Sequence, residues 1–225
     1  MAFLAGSMEK MGGPKAGGMC ESVRRFFRSL MPHSERPATD TEAEAFKRIL
    51  FGGDRLKAVG MMRASPGRIE QASLLLSHPD YSIPACWTLG AAAREGIDII
   101  TAVPALEAGL MSEDKNMRCL SARALTLFAV NSGRGSVLLE ALEPDDEFMR
   151  REAFDALGAR ATAGNGSAIS LLAGLIGDER PKVRYAAAGV LYLVIETGPD
   201  GARQAVRDVL LSFREAPRGG RAQAL

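Results

Sequence analysis

The chain has 225 residues and a mass of 24.0 kDa, with 28 basic against 27 acidic side chains and a hydrophobic content of 47%. That content fills a core, and 24 Gly with 11 Pro stay well below the roughly 25–30% that marks low complexity, so a chain disordered over most of its length is excluded. A net charge of +1 lacks the basic excess of a domain that binds nucleic acid by neutralising phosphates, and 35 Ala beside 1 Trp, 3 Tyr and 2 His favour close-packed helices over a β-sandwich.

Residues 1–19 are broken by Gly6, Gly12, Gly13, Gly17 and Gly18 and are expected to be disordered; they contain no continuous apolar run of the signal-peptide kind. Residues 20–40 read as an amphipathic helix and a linker. Val23, Phe26, Phe27, Leu30 and Met31 share one helical side, Arg24, Arg25 and Arg28 the other, and Pro32 ends the helix. Such a helix either folds back as a cap on a helical stack or, as the lesser reading, touches an anionic membrane surface or a partner's groove through residues 22–31. Residues 41–66 read as a degenerate first hairpin, helices at 42–51 and 54–64 joined by Gly52-Gly53.

From residue 67 to 214 the sequence repeats. The segments IPACWTLGA (83–91), MRCLSARAL (117–125), MRREAFDAL (149–157) and VRYAAAGVL (183–191) align without gaps, their starts 34, 32 and 34 residues apart. Their first, fifth and ninth positions are apolar or small except at Ser121, which places one stripe along a helix. An acidic turn precedes each segment, at 77–80, 112–114, 143–146 and 177–179, suited to cap the helix that follows. A further apolar-periodic stretch precedes each turn, at 69–76, 102–111, 137–142 and 169–176, so each unit is helix, turn, helix. Gly96, Gly133, Gly164 and Gly198 punctuate the units where helix ends call for positive φ. A helix at 201–213 begins one more unit, and residues 215–225 form a flexible tail.

One hairpin of this size cannot bury its own apolar face, so neighbouring units must share a core. Ala122, Ala124, Ala153, Ala156, Ala187, Ala188 and Gly189 are expected at inner positions where helices approach closely, with Leu106, Leu110, Leu125, Leu142, Leu157, Leu172, Leu175 and Leu191 supplying volume. The fold expected is all-α, a right-handed α-α superhelix of about five helical hairpins.

An acidic turn followed by V/M-R-x-x-A-x-x-x-L resembles the HEAT repeat, specifically the short bacterial HEAT-like repeats of phycobilisome lyases. The resemblance is carried by Asp114 with Met117-Arg118, Asp146 with Met149-Arg150, Asp178 with Val183-Arg184, and Leu157-Gly158. It implies a superhelix whose second helices line a concave surface. It also implies a structural ladder of Asp114, Asp146 and Asp178 with Arg118, Arg150 and Arg184 between adjacent units, interrupted at the first unit where Pro84 replaces Arg. With those arginines in the ladder, the outward stripe of the second helices runs through Ala85, Leu89 and Ala92, then Cys119, Arg123 and Thr126, then Arg151, Asp155 and Gly158, then Tyr185, Gly189 and Tyr192. Leu89, Arg123, Arg151, Asp155, Tyr185 and Tyr192 are therefore the expected contacts for a protein or peptide partner, since Tyr and Arg dominate interface hot spots.

Catalysis has little foothold. His33 sits in a linker and His78 in a turn, and neither a nucleophile–His–acid set nor a phosphate-binding glycine loop is present. Cys20, Cys86 and Cys119 are scattered and fit neither a disulfide framework nor a zinc site, as expected of a cytoplasmic protein without metal or cofactor. Cys119 has Arg123 one turn beyond it, which could lower its pKa, against the plainer role of a small residue in a helix seam; Cys86 and Trp87 are expected in the core. No stretch approaches a membrane span, the run 185–195 stopping at Glu196. The function expected is a non-enzymatic interaction scaffold that binds a protein or peptide partner on its concave face. The alternatives are a chromophore-handling protein of the bilin-lyase kind and a HEAT-like nucleic-acid enzyme such as a DNA glycosylase, for which Trp87 and the near-zero charge are poor equipment. The iron-dependent deoxyhypusine-hydroxylating HEAT enzymes need paired His-Glu motifs, which the sequence lacks.

Overall fold

The computed structural model describes residues 42–143 and 145–215. The expectations for residues 1–19, for the amphipathic helix and linker at 20–40 and for the tail beyond 215 lie outside the described residues. Eleven α-helices and no strand are found among them: α1 (Glu42–Phe51), α2 (Arg55–Ala64), α3 (Gly67–Leu75), α4 (Ser82–Arg94), α5 (Val103–Leu110), α6 (Lys115–Ser132), α7 (Gly135–Leu142), α8 (Glu147–Thr162), α9 (Gly166–Leu175), α10 (Pro181–Thr197) and α11 (Asp200–Glu215).

Local chemistry sets the boundaries. Asp114 accepts from the Asn116 amide at 2.7 Å, Asp146 from those of Phe148 and Met149 at 2.9 and 3.3 Å, and Asn165 from that of Ala168 at 2.9 Å, each occupying amide groups that a helix start leaves open. Two acidic turns do not cap as expected. The residue before α4 is Tyr81, with no side-chain cap, and the residue before α10 is Arg180, because Asp178 turns its carboxylate onto Arg180 instead. Gly133 ends α6 at φ 70°, a conformation cheap only for glycine, whereas Gly198 ends α10 at φ −73° and needs no such freedom.

The helices pair as α1–α2, α3–α4, α5–α6, α7–α8 and α9–α10, and each second helix packs on the next, α2 on α4, α4 on α6, α6 on α8 and α8 on α10. Helices α3, α5 and α7 touch in turn on the other side, and α11 lies on α9 and α10. The result is a two-layer α-solenoid. One continuous apolar interior runs from Phe46 in α1 to Val206 in α11, and all eight leucines expected to supply volume are buried in it. Small residues let the layers close: Gly90 of α4 sits 3.5 Å, measured from an added Cβ, from the Ala124 Cβ of α6. Two inner assignments are corrected, since Ala188 and Gly189 are exposed on α10, which has no second helix beyond it among the described residues. Trp87 is also not a core residue: its ring is half-buried with the Arg55 guanidinium against it, while Cys86 is buried as expected.

Candidate functional site

The four aligned second helices present their outward stripes very differently. Leu89 is 0% exposed, as are Ala85 and Ala92, because α4 is packed on both sides, by α2 and by α6; Leu89 is thereby removed from the candidate contacts. On α6 only Arg123 and Cys119 of the stripe reach the surface, Thr126 being buried with its hydroxyl donating to the Ala122 carbonyl at 2.7 Å. Arg123 extends to Glu152 of α8 at 3.3 Å. On α8, Arg151 and Asp155 are exposed and lie 3.8 Å apart across one helical turn. On α10, Tyr185 and Tyr192 are 75% and 64% exposed with Gly189 between them. Five of the six expected contacts thus remain on free surface, concentrated on the last three second helices. Phe148, which the repeat pattern does not single out, is exposed at the start of α8 with the Lys115 ammonium 3.0 Å from its ring centre, a cation–π contact between neighbouring units.

The ladder forms in one place. Arg118 Nε donates to Asp146 at 2.9 Å across the α6–α8 boundary, and its Nη1 donates to the Ser112 and Glu113 carbonyls at 3.0 and 3.1 Å. Burial works against the charge on Asp146, but the Arg118 hydrogen bond and the Met149 and Phe148 amides outweigh it and hold the carboxyl below the usual carboxylate range. The second rung is absent. Asp178 is held by Arg180 through two bonds of 2.9 Å, so Arg150 turns to Asp145 at 3.2 Å and Arg184 donates only to the Asp178 and Glu179 carbonyls, at 2.9 and 2.8 Å. Asp114 serves as a cap, there being no arginine at Pro84 to meet it. The α8–α10 boundary is instead clamped by Arg180, which donates to the Leu142 carbonyl at 2.8 Å and to Glu143 at 3.3 Å, and by Lys182, which meets Asp145 at 2.9 Å. At the far end of the second helices Asn131 donates to the Ala93 carbonyl and accepts from Arg160 at 3.1 Å, joining α4, α6 and α8.

These turns give a pH prediction. The Arg180 hydrogen bonds, outweighing burial, hold the Asp178 carboxyl below its usual range, and its side chain is only 8% exposed. A carboxyl with a depressed folded-state pKa contributes stability above its unfolded pKa of about 3.9 and loses it as the pH falls through the folded value. Asp178→Asn is expected to cost about 1 kcal/mol at pH 7, since the amide oxygen still accepts one Arg180 bond but carries no charge. Urea melts of both proteins should show the difference shrinking below about pH 4; a gap independent of pH would remove Arg180 as the cause.

No activated thiol is found among the described residues. The Cys119 pKa is raised, chiefly by burial and then by Glu152 and Asp146, and Arg123 is occupied by Glu152 instead of acting on it. Cys86 is pushed up to about 12 by burial, partly offset by its contact with Ser121. His78 is exposed in its turn, its Nδ1 accepting from the Asp80 amide at 3.2 Å. Among the described residues no helix is long and apolar enough to cross a membrane.

Residues 135–225 match the family described as HEAT repeats. No curated protein matches the chain. Solved structures that resemble it include an engineered protein, 19% identical over 86% of this chain and 97% of the other with a TM-score of 0.45. Another is an archaeal HEAT-like repeats protein from Thermococcus onnurineus NA1, 12% identical over 80% of this chain and 99% of the other with a TM-score of 0.43. A designed armadillo repeat protein in complex with the peptide (KR)4 is 18% identical over 90% and 97% of the two chains, with a TM-score of 0.40. The matched stretch holds α7 to α11, and the same helix–turn–helix unit recurs upstream of it in α3 to α6. The likeness to HEAT repeats is thus a match at the level of the repeat, carried by residues 135–225.

Proposed function

We propose that the chain is a non-catalytic interaction module that holds a protein or peptide partner along the outward face of its last three second helices. The observation that carries this reading is the exposure on one continuous layer of Tyr185, Tyr192 and Arg151, residue types that dominate interface hot spots, beside the charged pair partners Arg123 and Asp155. The core does not use these side chains. An exposed Tyr brings a large rigid apolar surface with a polar tip and loses little conformational entropy on binding, whereas a buried structural Tyr would have its hydroxyl satisfied inside. Arg151 is held only by a surface pair with Asp155, which is worth little in solvent and is readily exchanged for a partner's carboxylate.

The test is affinity capture from lysate of the native host with the intact chain and with Tyr185→Ala and Arg151→Glu. Each substitution is expected to weaken retention about 30-fold, the equivalent of a hot spot of roughly 2 kcal/mol, with helical circular dichroism and melting temperature unchanged. Proteins retained equally by all three chains would move the binding face elsewhere, and unfolding by either substitution would reassign the residue to the core.

A further inference from the structure

Helix α10 carries a stripe that nothing among the described residues covers. In the three earlier aligned second helices the positions five and nine residues after the segment start are closed off by the stack. Thr88 and Ala92 in α4, Ala122 and Thr126 in α6 and Phe154 in α8 are buried, and an added Cβ on Gly158 would meet Val190 of α10 at 3.2 Å. In α10 the same positions are Ala188 and Tyr192, both exposed, and Tyr185 joins them on that side.

We propose that this stripe is a homodimer contact, in which α10 pairs antiparallel with α10 of a second copy about a twofold axis at Gly189. The stripe is self-complementary. Lys182 and Glu196 lie on it seven residues to either side of Gly189, or about 10 Å at the helical rise. Antiparallel pairing therefore sets each Lys182 against the Glu196 of the second copy, twice over, where a parallel arrangement would oppose like charges. Tyr185 and Tyr192 stand four and three residues from the same centre, so each Tyr185 packs beside the second copy's Tyr192. At the crossing point Gly189 has nothing within 4 Å of where a Cβ would stand, which lets the two backbones approach closely. Glu196 has no ion-pair partner among the described residues. Lys182 does have one, Asp145 at 2.9 Å, but Asp145 also holds Arg150 at 3.2 Å and keeps a cation when Lys182 turns towards the second copy.

This inference rests on the reading of the second-helix face as a binding surface and names the occupant of its last helix. Because Tyr185 and Tyr192 belong to both contacts, the dimer is the closed form of that end of the face, and a partner that takes the tyrosines displaces the second copy.

Sedimentation velocity on the purified full chain between about 1 and 100 µM decides it, with a dimer constant on the order of 10 µM expected of so small an interface. Glu196→Lys or Lys182→Glu alone should weaken the dimer at least about tenfold, and the two together should restore it to within about threefold. The double exchange gives up the solvent-exposed Lys182–Asp145 pair, a surface contact of little worth after which Arg150 still holds Asp145, and it places the acidic group near the start of α10 and the basic one near its end, as the helix dipole prefers; circular dichroism and the melting temperature of the double variant check that the fold is kept. Gly189→Arg should abolish the dimer while leaving circular dichroism unchanged, because the site is exposed and Arg is the better helix former. A wild-type chain that stays monomeric at 100 µM, a dimer indifferent to Gly189→Arg, or a double exchange that fails to restore association would each overturn the proposal. A monomer that still captures its partner in an Arg151-dependent way sinks the dimer alone. A dimer without any such capture sinks the functional reading alone.

Discussion

Leu125→Ala is expected to lower the stability of the chain by about 2–5 kcal/mol, the range seen when a fully buried leucine is truncated and its surroundings relax only in part. Leu125 is 0% exposed in α6, the helix against which α4, α5, α7 and α8 all pack, so the space left behind has walls from four helices that other packing already fixes. For a chain of this size each kcal/mol moves the melting temperature by about 2–4 °C, so a fall of roughly 5–20 °C is expected by differential scanning calorimetry. Position in the stack matters as much as burial. A solenoid holds together through nearest-neighbour interfaces, and a defect in the middle weakens the coupling of both halves, whereas one at an end loosens only the last layer. Val206→Ala, at a position equally buried but on α11, should therefore open mainly α11 and leave the main transition close to that of the wild type. Hydrogen exchange would show the contrast as lost protection throughout α4 to α8 for the first substitution and confined to α11 for the second. A Leu125→Ala protein that melts within about 2 °C of the wild type would mean that the units do not share the interior described above.

What the sequence shows of such a fold is its period. The recurrence of Met117, Met149 and Val183 with Leu125, Leu157 and Leu191 is enough to place the second helices and the leucine core, because burial of one stripe per helix is a local demand that each unit meets alone. What a period cannot carry is where the stack stops and what lies beside each unit. Ala188 looks like an inner residue by analogy with Ala122, which holds the same place in its segment, yet it faces outward because no second helix follows α10 among the described residues. Leu89 fails for the opposite reason: α2 and α6 flank its helix, and the apolar run Ala85, Leu89, Ala92 is itself the sign of a covered stripe. The ladder is legible only in part, because which carboxylate an arginine reaches depends on turn geometry. Arg180, two residues beyond Asp178, takes the carboxylate that the repeat pattern assigns to Arg150.

Gly109→Val should cost about 3 kcal/mol, the upper part of the range for overpacking a closed core. Gly109 lies in α5 where that helix crosses α6 of the same hairpin, and an added Cβ would stand 2.3 Å from Ser121 Oγ and 3.3 Å from both Ser121 Cβ and Met117 Cε. Ser121 is fully buried beside Cys86, its hydroxyl 3.6 Å from the Cys86 sulfur, so the crowded oxygen has little room to retreat. Two opposing effects act at this position, since replacing a helical glycine gains up to about 1 kcal/mol in propensity while the side chain it brings must be housed. For valine the steric cost dominates, because two further carbons enter the same gap. For Gly109→Ala the balance rests on one atom, the Ser121 hydroxyl oxygen. Removing that atom with Ser121→Ala leaves only the 3.3 Å contacts, and Gly109→Ala is then expected to be neutral or stabilising, whereas in the wild-type background it should destabilise. Chemical denaturation of the four proteins of this cycle reads the coupling directly. Additive effects of the two alanine substitutions would show that α5 and α6 cross elsewhere, and that glycine at 109 is not what lets them meet.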